Sequence, residues 1–197
     1  FNTDIAGKVS VALNVFHFAL DEAITSFTDD RGTQLFRNAG KTRQQGVEVA
    51  ATYYALNKSD HPLSLSFYTS YTYYNFTYQN FQQRGTDFSG NNIPGAAPHN
   101  VNLEVNMELK NGLYLSLFHN YTDAIPLNDA NDVFADGYHL LRAKLGYNFK
   151  GFDVFLTGSN LLDQKMGFGN DLNPRFGNRY FQPAPGRNFQ VGIRKSW

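Results

Sequence analysis

The chain of 197 residues carries Lys plus Arg and Asp plus Glu in equal number, 17 of each, so no net field recommends nucleic acid or a strongly acidic partner. Aromatic residues reach 16% while charged ones stop at 17%, a balance that asks for an apolar medium against the rings. Cysteine is absent, which excludes disulfide frameworks and thiolate metal sites, and no run approaches the roughly 18 apolar residues of a membrane-spanning helix.

A β-barrel escapes that exclusion, because its strands need only about 9–11 residues with every second one facing lipid. Period-two alternation predicts eight strands in chain order. The first covers residues 9–24 and the second residues 45–55. The third, residues 63–73, sets Leu63, Leu65, Phe67, Tyr71 and Tyr73 against Ser64, Ser66, Ser70 and Thr72. The fourth, residues 100–110, alternates without a miss: Val101, Leu103, Val105, Met107 and Leu109 oppose Asn102, Glu104, Asn106 and Glu108. Strands follow at 113–121, 138–149 and 152–159. In the one at 138–149, Leu141, Ala143, Leu145, Tyr147 and Phe149 oppose Arg142, Lys144 and Asn148. The last, residues 188–197, opposes Phe189, Val191 and Ile193 to Asn188, Gln190 and Arg194.

The connections alternate in length. Short turns fall near 57–62, at 110–112 and at 150–151, where Asn-Gly and Gly supply the positive φ of a hairpin. Long ones fall at about 28–32, 78–98, 125–137 and 164–179, rich in Gly, Asn, Asp and Pro. Short turns at one end and long loops at the other is how transmembrane barrels sit. Tyr53, Tyr71, Tyr73, Tyr121, Tyr138 and Trp197 lie near strand ends, where amphipathic rings gather at lipid–water boundaries. A soluble barrel or sandwich also alternates, but here the apolar side chains are large and the opposite face carries charges of both signs.

Three stretches together resemble the TonB-dependent outer-membrane receptors. Residues 38–48, Asn-Ala-Gly-Lys-Thr-Arg-Gln-Gln-Gly-Val-Glu, are similar to the "N-x-G-x-T-x-x-x-G-V-E" strand of that family. Gly46 there permits a close backbone approach and Glu48 turns its carboxylate to the polar side. Ser159-Asn160-Leu161-Leu162-Asp163 is similar to the family's Asn-Leu-hydrophobic-Asp element, although the Lys and Tyr that usually follow are shifted to Gln164-Lys165-Met166. Residues 179–188, containing Pro185, Gly186 and Arg187, lead into the last strand and a final aromatic, with Trp197 in the place where the family usually has Phe.

The resemblance implies an all-β, antiparallel transmembrane barrel in the bacterial outer membrane, with these eight strands as the C-terminal part of a barrel of about 22 strands closed by an N-terminal plug. Because the chain opens at Phe1 without an initiator Met or a leader, the plug and the TonB box are expected upstream. The implied partners are outer-membrane lipid, the remaining barrel strands and plug, TonB–ExbB–ExbD through the upstream part, and a small ligand such as a ferric siderophore, imported with TonB-derived energy. Vitamin, haem or glycan uptake stays open. The alternative is an eight-stranded barrel closed on itself, with a structural or adhesive role.

For chemistry, the five histidines at 17, 61, 99, 119 and 139 show no ligand spacing, so neither a metal site nor a cofactor is expected. No Ser–His–acid constellation favours an enzyme. Glu48, Glu104, Arg142, Lys144, Asp153 and Arg194 fall on polar faces and are expected to face a lumen or plug, pairing with one another or touching substrate. Ligand recognition is expected in the loops, where Tyr74, Phe76, Tyr78 and Phe81, with Arg84 and Arg175, offer rings and cations to an anionic ferric chelate.

Overall fold

A computed structural model describes all residues except 30, 32, 39, 84, 172–179 and 197. The chain begins with β1 (Asn2–Ile5) and turns at Ala6-Gly7 into β2 (Val9–Leu20). The paired segments β3 (Ile24–Thr28) and β4 (Gln34–Asn38) stand on the first long connection as a two-stranded ribbon. Two long strands follow, β5 (Lys41–Leu56) and β6 (Leu63–Asn80), and then the short ribbon β7 (Gln82–Gln83) with β8 (Thr86–Asp87). The strands β9 (His99–Leu109) and β10 (Leu113–Thr122) lead to the ribbon β11 (Ile125–Pro126) with β12 (Phe134–Ala135). Last come β13 (Tyr138–Phe149), β14 (Phe152–Ser159), the ribbon β15 (Gly167–Asp171) with β16 (Tyr180–Pro183), and β17 (Asn188–Lys195).

Nine strands form one antiparallel meander in the order β1-β2-β5-β6-β9-β10-β13-β14-β17, so each strand pairs with its neighbours in the sequence of long strands. Each of the eight predicted strands is present. The corrections are a ninth strand, β1, at the leading edge, the greater length of β5 and of β6, which puts Tyr74, Phe76 and Tyr78 on a strand and not in a loop, and the earlier end of the strand predicted over 9–24. That strand stops at Leu20, because Asp21-Glu22 turns the chain with Glu22 at a φ of 58°, and Ile24 already belongs to a ribbon. Among the described residues β1 and β17 stand at the two edges of the sheet and do not pair with each other.

The register carries the alternation from strand to strand. Glu108 faces Tyr114 and Ser64, Tyr114 faces Gly146, and Asp153 faces Asn148 and Arg194. One face of the whole meander is therefore polar and the other apolar, since a one-residue slip anywhere would exchange them. Among the described residues no layer covers the apolar face. Val15, Val191 and Ile193 are 67%, 76% and 71% exposed, whereas the buried apolar side chains Tyr78, Phe81, Pro126 and Ala135 lie outside the middle of the sheet. Such a surface suits hydrocarbon as its solvent.

On the polar face, large rings stand over glycines of the neighbouring strand. Phe16 opposes Gly46, Tyr114 opposes Gly146 and Phe155 opposes Gly192. A Cβ at Gly146 would lie 2.3 Å from the Tyr114 ring, and one at Gly192 would lie 2.3 Å from the Phe155 ring. The absence of side chains lets each ring lie flat across the sheet and covers backbone that glycine leaves bare.

Candidate functional site

The polar face is built in layers down the strands. At the long-loop end lies an amide ladder: Asn120 Nδ2 donates to Asn100 Oδ1 at 3.1 Å and to Asn102 Oδ1 at 3.0 Å, and Asn102 Nδ2 donates to Ser70 Oγ at 3.1 Å. Asn100 Nδ2 continues it to Thr122 Oγ1 at 3.1 Å. One layer deeper the cations appear. The Arg142 guanidinium sits 4.1 Å from the centre of the Phe118 ring, and Lys144 Nζ sits 4.2 Å from that of Phe155 and 5.3 Å from that of Tyr114. At the turn end Asp153 is buried, accepting from Tyr114 Oη at 2.8 Å and from Arg194 at 3.0 Å.

All six charged residues expected on the polar side share this one face by register: Glu48, Glu104, Arg142, Lys144, Asp153 and Arg194. The expected mutual pairing holds only for Arg194 with Asp153. Glu48 accepts instead from Asn14 and Tyr74, both at 3.1 Å, and Glu104 from Asn106 at 2.8 Å. Among the described residues Arg142 and Lys144 meet no carboxylate. They are held by ring faces, which attract a cation without neutralising it, so the wall keeps two positive charges available to an anion.

The aromatic rim divides. Tyr74 stacks on Phe76 with ring centres 4.9 Å apart, both beside Phe16. Tyr78 and Phe81, in contrast, are 1% and 3% exposed and pack on each other at 4.5 Å, with Phe88 and Ile93 against them. Their expected role as open stacking surfaces gives way to a packing role, because the loops fold over them. Arg84 and Arg175 lie outside the described residues.

The loops are tied together at Asp129. Its carboxylate accepts from Tyr78 Oη at 2.7 Å and pairs with Arg37 of β4, while its carbonyl accepts from Asn91 Nδ2 at 2.7 Å. Arg37 also lies 4.9 Å from the Phe81 ring centre. Asn92 and Asn131 exchange two further bonds, at 2.7 and 2.9 Å. Asp129→Ala would leave the buried Tyr78 hydroxyl without its acceptor and remove a carboxylate from Arg37, a loss of about 1–3 kcal/mol confined to the loops. Limited proteolysis is expected to cut residues 81–98 and 123–137 faster in this variant, with the sheet intact. Equal cutting rates would show that the tie is dispensable.

A second tie joins the end of β14 to the start of β17. Asn160, buried and at a φ of 49°, donates from Nδ2 to the carbonyls of Gln164 at 2.9 Å and Pro185 at 3.2 Å, and accepts at Oδ1 from the Gln164 N–H at 3.0 Å. Asp163 Oδ1 accepts from the Arg187 N–H at 2.9 Å, and its other oxygen lies 3.4 Å from the Arg187 guanidinium. The Arg187 backbone bond holds the Asp163 carboxyl below the usual carboxylate range. Its contribution is thus present above the ordinary carboxylate pKa of 3.8 and fades as the pH falls through the lower folded value.

Comparison with known protein families matches residues 1–161 to "TonB dependent receptor-like, beta-barrel". The chain belongs to this family. Solved structures agree on the fold. The siderophore receptor PiuA of Acinetobacter baumannii superposes with a TM-score of 0.72 at 18% identity, over 96% of this chain and 26% of that one. The ferric yersiniabactin uptake receptor FyuA of Yersinia pestis gives 0.73 at 19%, over 98% and 28%, and the ferric citrate transporter FecA gives 0.72 at 20%, over 97% and 29%. The chain spans less than a third of each of these relatives. Membership of the TonB-dependent receptor family places it in the outer membrane, with the bare apolar face against lipid.

Within this receptor barrel the motif residues acquire physical roles. Gly46 lies under Phe16, and Asn160, Asp163, Pro185, Gly186 and Arg187 form the tie between β14 and β17. Trp197 lies outside the described residues. Of the boundary aromatics, Tyr53, Tyr71, Tyr73 and Tyr121 are on the apolar face, whereas Tyr138, opposite Thr122, is on the polar one. Sequence reading missed the Asp129 tie, since Arg37 is 92 positions from Asp129. The only signal for the amide ladder was Asn at 100, 102 and 106 on the polar side of β9.

Proposed function

We propose that this chain is the C-terminal part of a TonB-dependent importer whose barrel has about 22 strands, and that its polar face lines the lumen around an N-terminal plug. The intact receptor takes up a scarce nutrient, a ferric siderophore complex, with energy delivered through TonB, ExbB and ExbD. No covalent chemistry is required: the barrel binds, orients and passes a solute. The carrying observation is the pair of carboxylate-free cations, Arg142 and Lys144, on the polar wall of a family member. A wall meant only to be filled would neutralise them, whereas an oxygen-rich anionic chelate finds attraction there without a fixed counter-ion to displace. Two of the similar structures carry names that specify ferric chelates, which supports the choice of iron.

The test is uptake of radiolabelled iron, supplied as defined ferric chelates to iron-starved cells, with and without the intact receptor and with TonB inactivated. Loss of uptake of at least one chelate in both backgrounds is expected; uptake indifferent to the receptor overturns the proposal. In the same assay Arg142→Glu with Lys144→Glu is expected to lower uptake of an anionic chelate several-fold while the folded barrel still reaches the membrane. Unchanged uptake would return both cations to a structural role.

A further inference from the structure

Four of the five histidines fall on the apolar face toward the long-loop end: His17 on β2, His99 on β9, His119 on β10 and His139 on β13. Their ring partners separate them. His17 Nδ1 meets the Gln45 amide oxygen at 3.2 Å and His99 Nδ1 meets the Tyr71 hydroxyl at 2.9 Å. Only His119 and His139 present ring nitrogen to ring nitrogen, Nε2 to Nδ1, at 3.1 Å. The register pairs His139 with Tyr121 and His119 with Leu141, so the two histidines are diagonal neighbours across β10 and β13. Their ring centres are 5.2 Å apart with planes 23° from parallel.

We propose that His119 and His139 form a two-imidazole site for a borderline transition-metal dication, with Cu2+ the strongest binder. Imidazole nitrogen suits Cu2+, Ni2+ and Zn2+, and the first-row order places Cu2+ above the other two. Bonds of about 2.0–2.1 Å from two nitrogens to one ion span a ligand edge that, in square-planar and tetrahedral geometry, brackets the observed 3.1 Å. Without metal, one ring donates its proton to the other. On binding, His119 coordinates through Nε2 with its proton on Nδ1, and His139 through Nδ1 with its proton on Nε2. The ring that had been the donor shifts its proton to its far nitrogen, and no proton is lost overall.

The scaffold fixes one side of the site. The His139 main chain is held by its N–H to Gln164 Oε1 at 2.6 Å, and the Tyr121 ring lies 4.8 Å from the His139 ring. Among the described residues no third His, Cys, Asp or Glu joins the pair, so water or a lipid phosphate oxygen completes the coordination. A bound ion links β10 to β13 at the level where strands leave the hydrocarbon.

The test titrates the intact receptor, in detergent and a non-coordinating buffer, with Cu2+ alone. It compares wild type with His119→Asn, His139→Asn and His99→Asn, and uses the heat-modifiable band on semi-native electrophoresis to confirm folding. Wild type and His99→Asn are expected to bind one more equivalent than either of the other two variants, and electron paramagnetic resonance of that equivalent should show two equatorial nitrogens. Equal stoichiometry in wild type, His119→Asn and His139→Asn overturns the site. So does loss of the equivalent in His99→Asn, or retention of a two-nitrogen signal in either single variant of the pair.

Discussion

Gly46→Val is expected to leave most of the barrel unfolded in the membrane. On β5 this glycine pairs with Phe16 of β2 and Tyr74 of β6, in the middle of the widest continuous part of the sheet. A Cβ there would lie 2.5 Å from the Tyr73 carbonyl oxygen and 2.7 Å from the Phe16 ring. The ring has little freedom to retreat, since it also packs against Phe18, Tyr74 and Phe76 at centre distances of 5.6–6.2 Å. Overpacking of this kind costs about 1–3 kcal/mol when side chains absorb it. A carbonyl belongs to the strand itself, and moving it breaks ladder bonds on both sides. The measurement is the fraction of chain running as the compact, heat-modifiable species on semi-native electrophoresis. Phe16→Ala in the Gly46→Val background relieves only the ring contact, so partial rescue is expected. Full folding of Gly46→Val would mean that the strands adjust more freely than their spacing allows, and full rescue would mean that the carbonyl contact is not limiting.

What could be read from the sequence follows from the range over which each signal acts. Strand alternation is local: Val101 to Leu109 spell out β9 by themselves, and the register repeats the same inside–outside assignment across the sheet. β1 has only four residues, Asn2–Ile5, too few to show a period. The ribbons are hidden for a different reason. The long connections are rich in Gly, Asn and Asp, and such residues signal turns without revealing which segments pair. Tyr78 and Phe81 have the look of an exposed rim from their neighbours in sequence, yet Asp129 and Arg37, both distant in the chain, bury them. His119 and His139 are 20 positions apart, with no ligand spacing, and become neighbours only because the β10–β13 register is fixed. The local period therefore yields the wall, and long-range pairing yields every site upon it.

The tie at Asn160 shows how such long-range pairing is held, and its loss is the second large effect. Asn160→Ala removes three hydrogen bonds from a side chain 2% exposed. At about 0.5–1.5 kcal/mol for each bond, with an added penalty for buried carbonyls left without donors, a loss of about 2–4 kcal/mol is expected. Alanine also inherits the φ of 49°, a left-handed conformation that asparagine tolerates better than alanine. Asn160→Gly separates the two causes: it loses the same bonds but relieves the backbone, so it should fall between wild type and Asn160→Ala. The readouts are the denaturant midpoint and the rate of proteolysis between residues 164 and 185, the segment whose ends the tie gathers. Acid should act on the same segment through Asp163, whose bond to the Arg187 N–H is kept above the ordinary carboxylate range and lost below it. Proteolysis there by an acid-active protease should therefore accelerate as the pH drops below 3.8 in wild type, and far less in Asp163→Asn, which retains an acceptor oxygen but no titrating carboxyl. If Asn160→Gly matches wild type, backbone strain rather than bonding governs the position. If it matches Asn160→Ala, the side-chain bonds alone carry the junction between the last two strands.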